Sequence, residues 1–228
     1  PSSAASDVYK RQDLAPLNNS MIYASLSAYG EAGPERERKG FDQLAYWARS
    51  GLMDLMRAPG TPPTQGLPGM GDHPTGVALY ASIVTALLHR ERTGEGGLVH
   101  TSLLANGLWS AAGVAQGALA GGDIAEYRHD NLVDPAMLRP YQASDGRWLQ
   151  FNMIRDEEML SLLLAALDAI DLLADSRFGN LEDMWTHRQA LGDELQTRIS
   201  SKTSDEWLAV FAGFNLPVNR SAIIEELT

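Results

Sequence analysis

The sequence predicts an α/β protein, a large domain followed by a smaller α+β domain, on three observations. Between Met21 and Leu119 short apolar strands and longer helical periods follow one another as strand, helix, helix, strand, helix, the order of a layered, mainly parallel sheet. From Ala120 to Arg139 the period disappears into glycines and mixed charges, which reads as an inter-domain linker. Beyond it, YQASDGRWLQFNMI sets an Asp-Gly pair between two apolar runs, a strong hairpin signal.

Taken in order, Met21–Ser27 (MIYASLS) is short, apolar and small, as expected of a buried strand in an α/β sheet. Tyr29–Gly40 carries Gly30, Gly33, Pro34 and charges and is a loop. In Phe41–Met56 the apolar residues recur every three or four positions, predicting an amphipathic helix with an interruption at Gly51. Ala58–Gly71 is too rich in proline and glycine to be regular. Pro74–Arg90 is apolar on nearly every side and predicts a helix buried all round. Thr93–Gly97 (TGEGG) is a turn, Leu98–Leu103 a strand and Leu104–Leu119 a helix. After the hairpin, Glu157–Ile170, Leu181–Ser200 and Ser204–Gly213 read as helices, the last opened by a capping-box pair, Thr203 and Glu206. The domains are therefore set at 13–119 and 140–228, with 120–139 between them. Pro1–Gln12 (PSSAASDVYKRQ) has no period, and its DVYKRQ ending is what one frame of a common sequencing-adapter end translates to. It is set apart as a foreign or artefactual tail.

Composition narrows the function. With 44% hydrophobic residues the chain has the means to fold around a core. Lys+Arg number 18 against Asp+Glu 29, a net charge of -11, which argues against a nucleic-acid partner because such binding needs a basic face. There is no cysteine, hence no disulfide framework, no thiolate nucleophile and no cysteine metal site. That fits the cytoplasm, and the longest apolar run, Val77–Leu88, is too short to span a bilayer. The histidines show no metal-ligand spacing, so no metal is expected. TGEGGLV fails the dinucleotide fingerprint at Val99, and no G-x-S-x-G elbow marks a serine esterase.

The stretch with most chemistry is Gly66–Gly76, GLPGMGDHPTG, a glycine-rich loop that delivers Asp72 to the start of the apolar helix. Two readings are open. Aspartate is among the best N-caps, and proline favours the first helical turn. Equally, a carboxylate at a helix N-terminus stays ionised beside the free N–H groups, and Gly71, without a Cβ, lets a reacting group approach. His73 is adjacent, but neighbouring side chains diverge, so a polar role at the helix end is expected for it.

These residues do not stand alone. YASLSAYGEAGP (Tyr23–Pro34), KGFDQLAYWARSGLM (Lys39–Met53), the Gly71-Asp72 pair and HRERTGEGGLVHTSLL (His89–Leu104), in that order, resemble the family III CoA-transferases of the CaiB/BaiF type, a group that includes formyl-CoA transferase and the carnitine CoA-transferases. The resemblance runs from near Asp13 to Thr228 and extends to the hairpin that carries Asp145-Gly146 and Trp148, and to Arg177-Phe178 and Glu206-Trp207 of the small domain. It implies a partial Rossmann-like large domain, because the family binds part of CoA through a segment that comes before the residues seen here. It implies that Asp72 is the nucleophile, that amides of the Gly71 loop serve an oxyanion, and that Lys39, Phe41, Asp42 and Arg38 lie near CoA, with Arg36 adding charge. For Asp42 a helix-terminal charge is an equal alternative. The substrates implied are an acyl-CoA and a free carboxylic acid, with CoA as substrate and no permanently bound cofactor. Relatives form interlocked homodimers. The related α-methylacyl-CoA racemases read GHD where this chain reads Gly40-Phe41-Asp42, and phenylalanine moves no proton. A non-catalytic fragment that binds acyl-CoA or a partner is the remaining alternative. The family's small-domain glycine run corresponds here to Phe151–Asp156 (FNMIRD), which has no glycine.

Overall fold

The structure is a computed structural model that describes residues 11–58, 60–125, 139–151 and 156–227. Most of the linker expected at 120–139, most of the segment 1–12 and the centre of Phe151–Asp156 lie outside the described residues. The chain divides into two compact units, Pro1–Ile124 and Ala125–Thr228.

The first unit is built on two parallel strands, β1 (Ile22–Ser27) and β2 (Gly97–Ser102), paired from Ile22 with Gly97 to Ser27 with Ser102. Parallel neighbours need a long crossover. Here it comprises a π-helix (Asp42–Ala48), a short α2 (Leu52–Leu55) and the 22-residue α3 (Asp72–Thr93). A one-turn α1 (Arg11–Leu14) precedes β1, and α4 (Leu103–Ser110) and α5 (Ala112–Leu119) follow β2. Tyr29, Ala45, Tyr46, Trp47 and Leu103 form its buried cluster.

The helix expected over Phe41–Met56 is two pieces that part at Gly51, where the interruption was expected, and the first of them is a π-helix. The buried Ser50 hydroxyl donates back to the Tyr46 carbonyl, and Gly51 turns left-handed at φ 89°, where a side chain would be strained. The segment Leu104–Leu119 likewise breaks at Ala111. Finally, α3 is not buried all round: Thr75 is its one buried residue among those described, while Val77 and Tyr80 are 67% and 69% exposed. Among the described residues α3 packs on β1, β2 and α4, which leave these side chains uncovered. Likewise β1 is half-buried rather than buried.

The second unit is an antiparallel sheet in the order β3 (Pro140–Gln142), β4 (Trp148–Phe151), β5 (Val218–Arg220), with helices packed on it. These are α6 (Glu157–Ala166), α7 (Leu181–Thr186), α8 (Arg188–Ile199) and α9 (Ser204–Gly213). The expected helix over Leu181–Ser200 is α7 and α8, parted at His187. The one over Glu157–Ile170 stops at Ala166, two residues before Asp168 takes a positive φ of 54°. Tyr141, Leu149, Phe151, Phe178, Trp207 and Phe211 fill the core.

Capping fixes where these helices begin. Thr203 and Glu206 make both hydrogen bonds of the capping box. Asp145, at the hairpin turn, accepts from the backbone N–H and the hydroxyl of Ser204 at 3.0 and 2.7 Å, tying that turn to the start of α9. Thr203→Ala should cost about 1 kcal/mol, read as a lower urea midpoint for the Ala125–Thr228 unit.

The Asp175 carboxylate accepts from the Arg177 side chain at 2.7 Å and from its backbone N–H at 2.9 Å, and these bonds hold its pKa down to about 2. A carboxylate depressed in the folded state adds stability above its unfolded pKa of about 3.9 and loses it as pH falls toward about 2. Asp175→Asn should therefore lower stability at neutral pH and flatten the acid limb across that window, converging with the parent below it. Thermal melts at stepped pH check this.

Candidate active site

The site is assembled by the first residues of the π-helix and the loop that leads into α3. Phe41 is extended, and the chain coils from Asp42 onward, which buries Asp42, Ala45, Tyr46 and Trp47. The carboxylate of Asp42 does not face outward. Its Oδ2 accepts the Gly69 N–H at 2.7 Å and its Oδ1 the Gly71 N–H at 3.0 Å, reaching across 27 and 29 positions of sequence. Next to it, Gln43 Nε2 donates to the Gly66 carbonyl at 2.8 Å. The loop is thus pinned to the π-helix at both ends.

Glycine is obligatory at these contacts because of the close approach. A Cβ on Gly71 would lie 2.2 Å from Asp42 Oδ1 and 2.3 Å from Tyr46 Cγ, and one on Gly66 would lie 2.1 Å from Trp47 Cε2. The π-helix is itself anchored, with Tyr46 Oη 2.7 Å from Ser110 Oγ of α4.

Asp72 is the first residue of α3, and Gly71, not Asp72, occupies the N-cap, with no side-chain capping bond. The Asp72 side chain is exposed. Among the described residues it takes part in no hydrogen bond or ion pair. The alternative in which Asp72 spends its oxygens on capping is thereby excluded. The buried Thr75 hydroxyl donates to the Gly71 carbonyl at 2.7 Å, and the His73 N–H donates to the Gly69 carbonyl at 3.1 Å, closing the first turn. His73 is exposed beside Asp72.

The structure reassigns two of the expected site residues. The Gly71 N–H is committed to Asp42 and is not a free donor for an oxyanion. Asp42 is buried, with its oxygens engaged by the loop, so it presents no carboxylate to a ligand. Of the cations, Arg38 pairs with Glu35 at 2.7 Å and lies over the Tyr29 ring at 5.5 Å, and Arg36 pairs with Glu37 at 3.2 Å. Burial works to raise the Glu35 pKa, but hydrogen bonds from Arg38 and Arg49 outweigh it and hold that carboxyl below its ordinary value. Lys39 is exposed and, among the described residues, has no ion-pair partner. Phe41 is 77% exposed, and Leu44, Leu67 and Met70 of the same two segments are exposed as well.

Three concavities of ≈ 560 to ≈ 590 Å³ are lined by α3 with β2, by β1 with the 30–37 loop, and by the β3–β5 sheet. Asp72 is not among the residues that line these three. Among the described residues no group of three or more His, Asp or Glu is placed to hold a metal, and none of the helices is long and apolar enough to cross a membrane.

The supports of the site, Gln43, Tyr46, Trp47 and Ser110, are not marked by any spacing in the sequence. The one usable signal is the concentration of glycines in Gly66–Gly71, which announces a backbone packed closely against something.

Residues 6–228 match CoA-transferase family III. The chain belongs to that family. The match begins within the segment set apart as a tail. Over 207 residues the chain is 31% identical to (R)-2-hydroxy-4-methylpentanoate CoA-transferase of Clostridioides difficile, covering 91% of this chain and 51% of that protein. It is 27% identical over 216 residues to cinnamoyl-CoA:phenyllactate CoA-transferase of Clostridium sporogenes, again with coverage of 91% and 51%. Among solved structures, Rv3272 from M. tuberculosis superposes with a TM-score of 0.80 at 23% identity, over 96% of this chain and 56% of that one, which speaks for the fold alone. A CaiB/BaiF family protein from Brucella suis gives 0.76 at 25% identity, over 96% and 57%. The chain spans about half the length of the curated relatives it matches.

Proposed function

We propose that this chain carries the nucleophile of a family III CoA-transferase, Asp72, and that the protein moves CoA from an acyl-CoA to a free carboxylic acid. The observation that supports this most directly is the exposed Asp72 side chain, uncommitted among the described residues, at the first residue of α3. Asp72 attacks the thioester carbonyl, the carbon–sulfur bond breaks, and CoA leaves as its thiolate from a mixed anhydride. The thiolate attacks the aspartyl carbonyl of that anhydride and expels the donor acid, leaving CoA as an aspartyl thioester. The acceptor carboxylate repeats the sequence in reverse and departs as the new thioester, and Asp72 returns to its free form. No water is consumed, so the thioester energy is conserved. With the Gly71 N–H occupied, the backbone N–H of Asp72 itself is the donor best placed at the helix start to meet a developing oxyanion.

Lys39 fits a contact to CoA phosphate, and Arg38 and Arg36 can exchange their exposed ion pairs for the same anion at little cost. Phe41 fits packing against the carrier or the acyl group. Lys39→Ala should raise KM for acyl-CoA by about 3- to 10-fold with kcat little changed, since it removes binding common to ground and transition states. Initial rates against acyl-CoA concentration check it.

Incubation with acyl-CoA, proteolysis and mass spectrometry test the central reading: a CoA adduct on the Asp72 peptide supports it, and its absence from a protein competent in transfer refutes it. The racemase alternative lacks a proton carrier at Phe41, and the absence of α-proton exchange in D2O would dispose of it. The exposed apolar face of α3, including Val77 and Tyr80, agrees with the interlocked homodimer that the family resemblance implies, and sedimentation measures that state directly.

A further inference from the structure

The geometry points to Asp42 as a positioning residue for Asp72, an inference that rests on the nucleophile reading above. Asp42 is 6% exposed, and among the described residues it forms no ion pair. A buried carboxylate is unfavourable unless its lone pairs are satisfied by good donors. Here the donors are two backbone amides, Gly69 and Gly71, which flank the last turn before the nucleophile. Each oxygen takes one amide, at 2.7 and 3.0 Å, so the carboxylate works as a two-point clamp with charge-assisted bonds.

One fixed point would let the loop swing. Two fixed points, two residues apart, set both the height and the direction from which α3 departs, and Asp72 is the residue that follows at once. The backbone between them agrees: Gly69 sits at φ +81°, and Gly71 has no room for a Cβ against Asp42 and Tyr46. The clamp stands at the first residue of a π-helix, a rare geometry that recurs at functional sites. That helix is braced by the Tyr46–Ser110 contact and by Gln43 on Gly66. Bracing therefore runs from α4 through the π-helix to the loop and ends on the reacting oxygen. Asp42 touches no substrate in this scheme and acts through the position of Asp72.

The near-isosteric Asp42→Asn keeps one acceptor and turns an N–H₂ toward the other amide, so one of the two fixed points is lost. Gly71→Ala breaks the same contact from the loop side. In the active protein carrying this chain, Asp42→Asn should lower kcat and the rate of Asp72 adduct formation by about tenfold or more, the scale on which small misplacements of a reacting group are felt. KM for acyl-CoA should stay within about twofold, because the lost positioning is realised in the transition state. Backbone hydrogen exchange at residues 69–71 should quicken, and the double variant Asp42→Asn/Gly71→Ala should fall little further than either single change. Parent-like kcat in Asp42→Asn, a loss carried wholly by KM, or unfolding of both single variants overturns the proposal, the last by making Asp42 a general support of the fold. The two readings part cleanly. Activity retained by Asp72→Ala defeats the nucleophile assignment whatever Asp42 does. An inactive Asp72→Ala beside a fully active Asp42→Asn defeats the clamp alone.

Discussion

Asp72→Ala is expected to abolish CoA transfer, with kcat down by on the order of 10³-fold or more, as befits loss of a covalent nucleophile. The loss should fall on kcat, because alanine leaves the loop, the Asp42 clamp and the bonds of Thr75 and His73 in place; none of them uses the Asp72 side chain. The melting temperature should move little, since an exposed carboxylate that caps nothing adds only a modest dipole interaction. That combination separates chemistry from capping. A helix-stabilising aspartate would give a destabilised protein with normal turnover, whereas the nucleophile reading requires a stable protein without turnover. Rates with acyl-CoA and carboxylate, read beside a thermal melt, decide between them.

The largest expected loss of stability is at Trp207→Ala, about 3–5 kcal/mol for a large buried aromatic. Trp207 is 1% exposed, stacks on Phe211 at 5.4 Å between ring centroids, and donates its Nε1–H to the Ile199 carbonyl at 2.7 Å. Lys202 Nζ lies 4.3 Å from its ring. Alanine empties the centre of the Ala125–Thr228 core and leaves the Ile199 carbonyl without its donor. Trp207→Phe retains most of the buried area and loses the hydrogen bond, so it should cost roughly 1–3 kcal/mol, the penalty for an unsatisfied buried group. Urea unfolding of both variants should rank parent, Phe and Ala in that order, and equal midpoints for parent and Ala would remove Trp207 from the core argument.

The readability of this fold followed the range of the interactions. The hairpin about Asp145-Gly146 and the start of α9 were legible because a turn residue or a cap speaks to partners within a few positions. The strand β5 was not, because three residues carry no period and its pairing with β4 spans most of the second unit. The break at Gly51 was legible in the glycine itself, whereas those at Ala111 and His187 were hidden, since nothing in the local pattern marks them while the backbone turns. The all-round burial anticipated for α3 failed for a different reason. Apolar residues state what a helix can bury, and neighbours decide what it does bury.

The same division runs through the site. That a carboxylate, Asp72, opens an apolar helix after a run of glycines, and that the order of motifs resembles one family, could be read from the residues alone. That Gly71 holds the N-cap, that its amide belongs to Asp42, and that Asp72 is left exposed with its oxygens unspent among the described residues emerged from the folded chain. The reason is physical: helix and turn signals are local, whereas a donor is allotted to an acceptor by distance in space. The 29 positions between Asp42 and Gly71 close to 3.0 Å only when the crossover has folded.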